Sequence, residues 1–176
     1  MVYCPSTFSS EVLDLYKMRA PQGSALVKPA GTTYQEIAKN AINRLKVVDS
    51  VNTEKLLSLL NSFESDVAWL RDIELHAIDD TDFIMLPRGC NLVQAVIQRE
   101  PEFPNEKRYY VSLEVWNSLS NVQKAALVVH EVIYRRAIEG GAKNSRAMQF
   151  FRVDRDEMQF TNRSISFLRR PPIPSG

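Results

Sequence analysis

Cysteine is scarce in this chain, with two in 176 residues. Cys4 and Cys90 make neither a disulfide framework nor a zinc-ribbon spacing. One bridge between them and two free thiols are both compatible with the sequence. An excess of charge of one sign is also lacking. Lys and Arg number 22 against 21 Asp and Glu, a net charge of +1, which gives no global reason to expect nucleic acid or an anionic membrane as a partner. Long apolar runs are missing too. The longest, Ala125 to Val129, is far too short to span a bilayer. The opening residues, Met1 to Thr7, have no basic n-region and no apolar h-region, so no signal peptide is visible. The default expectation is a cytoplasmic protein, or an exported one if a leader was removed ahead of this sequence.

What is present is ordinary globular material. A hydrophobic share of 44% and a charged share of 24% exclude disorder over most of the length. The length argues for one domain, large enough to bury about two thirds of its unfolded surface. Punctuation by Pro5, Pro21, Gly23, Pro29 and Gly31 marks residues 1–31 as an extended lead segment. Residues 32–168 are expected to form a single domain. The basic, proline-rich residues 169–176 are expected to be a flexible tail.

Thr33 and Glu36 have capping-box spacing, and Tyr34, Ile37, Ala38, Ala41, Ile42 and Leu45 then recur on one helical face. Asp49 and Ser50 are expected to end that helix. A second is expected to start near Thr53 and to run through Leu56, Leu60, Phe63 and Val67, with Ala68 and Leu70 close behind. The two predict an antiparallel pair. The period then changes. Ile73, Leu75 and Ala77 alternate like a strand, with His76 on the opposite face. Phe83 to Leu86 is a short apolar run, broken by Pro87-Arg88-Gly89. Val93, Ala95 and Ile97 predict a further strand, paired in a hairpin with Tyr109 to Val111. Ser112 can cap a short helix through Trp116. Ser120 and Gln123 repeat the capping-box spacing ahead of a long, nearly all-round apolar helix over about residues 121–139, stopped by Gly140-Gly141. The expected fold class is α+β: helices packed around a small, mainly antiparallel sheet, with this helix buried at the centre.

The central helix carries His130-Glu131-Val132-Ile133-Tyr134. In a zinc-protease helix two histidines four apart point at one metal, and the glutamate after the first is the general base for the metal-bound water. The first histidine and the glutamate stand here; Tyr134 takes the place of the second histidine. The run from Arg108 to Glu131 resembles the core of the zincin metallopeptidases, in which an edge strand leads into a short helical turn, a capping residue and the active-site helix. The resemblance covers about residues 108–137. It implies a zincin-like fold, with His130 as first metal ligand and Glu131 as catalytic base of a peptidase or amide hydrolase. It implies zinc as cofactor and a peptide or protein as substrate. At the second ligand position Tyr134 would ligate weakly or donate a hydrogen bond to the developing oxyanion. A phenol binds metal only after losing a proton whose ordinary pKa is about 10, whereas imidazole binds neutral. A third ligand is expected downstream, where Asp154, Asp156 and Glu157 are available. The incomplete motif predicts weak hydrolysis or none.

The alternative is a non-catalytic protein-binding or scaffold domain without a metal. There His130 is a hydrogen-bonded core residue and Glu131 pairs with Arg135 one turn on. Cys90, after Gly89, is a candidate nucleophile only if its thiol is free. Basic residues from Arg135 to Arg170, interleaved with Phe150, Phe151, Phe160 and Phe167, would suit an acidic partner. Asp154, Asp156 and Glu157 dilute that charge, so nucleic acid is not expected.

Overall fold

Thr33 and Glu36 form the capping box that their spacing predicts: Thr33 Oγ1 accepts from Glu36 N at 3.2 Å, and Glu36 Oε2 accepts from Thr33 N at 3.3 Å. The structure is a computed structural model of the chain. It describes residues 1–7, 9–13, 15–16, 30–75 and 86–140. Helix α1 spans Tyr34–Asn43 and buries Ile37, Ala38 and Ile42. Gly31 leads into it at φ 139°, and a Cβ there would stand 2.9 Å from the Ile37 nitrogen, so only glycine fits.

Helix α2 spans Ser50–Ser62. It starts earlier than the apolar spacing predicts, because Asp49 is its cap rather than the end of α1. The Asp49 carboxylate accepts from Asn52 N at 3.0 Å and from Asn52 Nδ2 at 2.7 Å. A 3-10 turn, Arg44–Val47, joins the two helices. The α2 spacing also predicts a helix running on through Val67, and this is corrected. α2 stops at Ser62, a 3-10 turn covers Glu64–Asp66, and Val67–Leu70 is strand β3. Its pairing partner lies some forty residues away, where local periodicity carries no information.

Among the described residues, two three-stranded sheets complete the architecture, which is α+β. Strands β1 (Val2–Cys4), β2 (Ser9–Glu11) and β4 (Asn91–Leu92) form one, in the order β2-β1-β4. Strands β3, β5 (Val96–Gln98) and β6 (Tyr109–Ser112) form the other, in the order β3-β6-β5. β3 and β6 run parallel; the remaining pairings are antiparallel, including the β5–β6 pair that the sequence predicts. Residues 73–75 are not a strand, contrary to the alternation of Ile73 and Leu75. Asp72 sits in the left-handed region at φ 55°, with its N–H donated to Glu114, so the chain leaves β3 by a bend.

Cys4 and Cys90 are joined in a disulfide across a sequence separation of 86. Gly89, at φ 79°, holds the left-handed position of the turn in which Cys90 N donates to Pro87 O at 3.1 Å. That turn brings Cys90 beside β1. The bridge removes the free thiol that the nucleophile reading of Cys90 needs.

Helix α3 (Leu113–Ser118) follows β6 directly, capped by Ser112. Helix α4 (Asn121–Glu139) is capped by Ser120, whose side chain accepts from Gln123 N, and ends at Gly140. The reciprocal half of that capping box is absent, because Gln123 Oε1 accepts instead from Val12 N at 2.8 Å. α4 packs on α1 and α2. Its Ala125, Val128 and Val132 meet Ile42, Leu56 and Phe63 in one core. Trp116 of α3 meets Tyr34 edge-on at 5.1 Å and Trp69 at 5.2 Å, joining α1, β3 and α3. Among the described residues, no helix is long and apolar enough to cross a membrane.

Candidate functional site

Position on α4 decides what each residue of the His-Glu-x-x-Tyr segment faces. Leu127, Val128, Glu131 and Val132 are all buried, so Glu131 lies on the core-facing stripe of the helix. Its relative exposure is 7%. A carboxylate there must be bonded, since burial penalises an unpaired charge heavily. The amide of Gln98, the last residue of β5, supplies part of the answer. Gln98 Nε2 donates to Glu131 Oε2 at 3.1 Å and to the Glu131 carbonyl at 3.0 Å. One side chain thus fastens α4 to the outer strand of its sheet.

His130 and Tyr134 lie on the next ridge round, with Val122 and Ala126 before them, and both are half-buried. Their ring centroids are 6.4 Å apart, with the planes inclined at 40°. The structure therefore brings His130, Glu131 and Tyr134 within one helical turn. The described residues do not complete a zinc site around them. Among those residues, no group of three His, Cys, Asp or Glu side chains is placed to hold a metal ion. An imidazole and a phenol remain as donors. Asp154, Asp156 and Glu157 lie outside the described residues, as do His76, the Phe83–Met85 run and the basic, aromatic segment from Lys143 onward.

Beneath α4, Glu131 belongs to a wider polar layer. Arg135 Nη1 donates to Asp66 Oδ2 at 2.8 Å, and Arg135 Nε donates to Glu139 Oε1 at 3.3 Å. Arg135 and Glu139, one helical turn apart, thus form an i,i+4 ion pair. Arg108 meets Glu100 through two bonds, at 2.8 and 2.6 Å, and its N–H reaches Asp66 O at 3.0 Å. Tyr109 is fully buried in the middle of this layer. Its hydroxyl has no partner in hydrogen-bond geometry, and the nearby Arg135 guanidinium favours its ionised form. Burial pushes the Tyr109 phenol up to about 12, the Glu131 carboxylate adds to the rise, and Arg135 works against it. Among the described residues, Gln98 Oε1 is a further buried oxygen without a partner.

Sequence reasoning finds the His-Glu pair but misses Gln98, Tyr109 and Asp66. One signal was available. Glu131 stands four residues after Leu127 and three after Val128, so a buried helix obliges it to find a partner. Which residue answers depends on strand register, and spacing along the chain does not encode that. Comparison of the chain with protein-family models, curated proteins and solved structures finds no match.

Proposed function

We propose that this chain is a zincin-like domain with a degenerate metallopeptidase motif, weakly active or inactive as a hydrolase. Glu131 serves in it as a fastening between α4 and β5. Support for the scaffold comes from the order of elements: β6 runs into the short α3, and a capped α4 then carries His130-Glu131. The observation that carries the loss of activity is the state of Glu131. Its carboxylate is buried and bonded by Gln98, whereas a general base must meet the water it deprotonates. Tyr134 in place of a second imidazole supports the same conclusion, because a neutral phenol is a poor ligand. The domain then acts by binding a peptide or protein.

A second reading, a working amide hydrolase, is favoured by the closeness of His130 and Tyr134 on one ridge. In it Glu131 takes the proton of the attacking water and Tyr134 donates to the developing oxyanion. Elemental analysis of the purified full chain, beside His130→Ala and Glu131→Gln, separates the two. The proposal expects no stoichiometric zinc. It also expects Glu131→Gln to lower stability by about 1 kcal/mol and to leave any background peptide cleavage unchanged. One zinc per chain, lost in His130→Ala, together with cleavage abolished in Glu131→Gln, overturns it.

A further inference from the structure

The turn between α1 and α2 presents apolar surface that the core does not use. Val47 is 94% exposed, Val48 49% and Val51 63%. Three valines within five positions form a contiguous patch, unlike the scattered apolar residues usual on a surface. The turn that carries them is well held. Val48 N and Asp49 N both donate to Leu45 O, at 2.9 and 2.8 Å. Leu45 packs on the core, and Asn52, Thr53 and Leu56 anchor the start of α2. The valines are therefore displayed by a bonded turn at one end of the helical pair.

Among the exposed charges around them, cations outnumber acids. Arg44 and Lys46 precede Val47 in the 3-10 turn, and Lys55 lies one helical turn after Val51 on the same face. All three are exposed, and none makes an ion pair among the described residues. Asp49 is engaged by Asn52, with Arg136 of α4 close by. Glu54 is the one exposed acid between residues 44 and 55. The tip thus has an apolar centre and, among its exposed charges, three cations against one acid.

We propose that this α1–α2 tip docks on an anionic lipid bilayer, with Val47, Val48 and Val51 entering the headgroup boundary and Arg44, Lys46 and Lys55 meeting lipid phosphates. A protruding tip needs no complementary pocket and suits a flat surface. Long basic side chains reach phosphate while their stems cover the apolar boundary. The patch is small, so the binding is weak, reversible and salt-sensitive. The proposal stands independently of the chemistry at His130.

The test is co-sedimentation of the full chain with phosphatidylcholine vesicles, with and without phosphatidylglycerol, at low and high salt. The expected result is binding to the anionic vesicles that falls steeply by about 0.5 M salt. Val47→Asp and Lys46→Glu should each weaken it by roughly tenfold, and Val47→Trp should strengthen it severalfold. Val47 is almost wholly exposed, so all three chains should keep wild-type melting curves. No binding to anionic vesicles overturns the proposal, as does binding that Val47→Asp leaves unchanged. Self-association in sedimentation velocity that Val47→Asp abolishes, without vesicle binding, also overturns it and assigns the tip to a second copy.

Discussion

The two sheets of this protein are of equal strand number and are held by different means. In the β3-β6-β5 sheet, Tyr109 and Val111 of the middle strand are fully buried, and Phe63 packs on Tyr109 at 4.7 Å. Helices α1, α2 and α4 share the core with that sheet. In the β2-β1-β4 sheet, the strands are two or three residues long and Val2 is their one buried side chain. That sheet relies on the Cys4–Cys90 bridge between the end of its middle strand, β1, and the turn before β4. Burial secures the first sheet and a covalent link secures the second. The contrast explains why neighbouring parts of one small molecule should differ in their response to mutation and to reductant.

The sharpest way to break the first sheet is through its core. Phe63→Ala should cost about 4 kcal/mol and lower the melting temperature by roughly 10 °C in one global transition, measured by circular dichroism. Replacing both cysteines by serine should cost about 3 kcal/mol. The chain-entropy limit for a loop of this span is near 4.6 kcal/mol. Hydrogen exchange should show that loss first as faster exchange in residues 2–4 and 91–92, with the amides of β6 still protected. Equal loosening of both sheets would erase the distinction.

Two smaller effects sharpen it from the side of the helical body. Asp49→Ala should cost about 1 kcal/mol at neutral pH through the lost α2 cap. Bonds from Asn52 hold the Asp49 carboxyl below its ordinary range, so its contribution is present above about pH 4 and disappears as pH falls through the lowered value. Urea melts at neutral pH and near pH 2 should therefore show the difference between wild type and variant shrinking in acid. Tyr109→Phe should be the mildest change, neutral or stabilising by up to about 1 kcal/mol, because it removes a buried hydroxyl that has no partner. A loss larger than that in thermal melts would mean that the phenol is paired.

The helices were legible because their signals are local. Thr33 with Glu36, Ser112 and Ser120 each announce a helix start within four residues, and each is observed. Strands were legible only where the partner was close: β5 and β6 are separated by one loop, and their antiparallel pairing follows the alternation. β3 was hidden, because Phe63, Val67 and Leu70 keep helical spacing while their pairing partner is β6. β1 and β2 were hidden inside a segment read as a lead, since proline and glycine punctuation outweighs three-residue strands. At the site, chemistry-bearing residues on one helix were visible together, whereas Gln98 reaches Glu131 across a separation of 33 residues that no local pattern records.

The pairing of β1 with β4 has a consequence for how the molecule comes into being. Val2 lies opposite Leu92, and the N–H of Val12 is satisfied by Gln123. In a chain made from its amino end β1 can pair with β2 at once, but its pairing with β4 waits until Leu92 has been made. Contacts of such span close late and slowly, so this half of the sheet follows the local β1–β2 pairing. Until Cys90 has been made, the Cys4 thiol lacks its native partner.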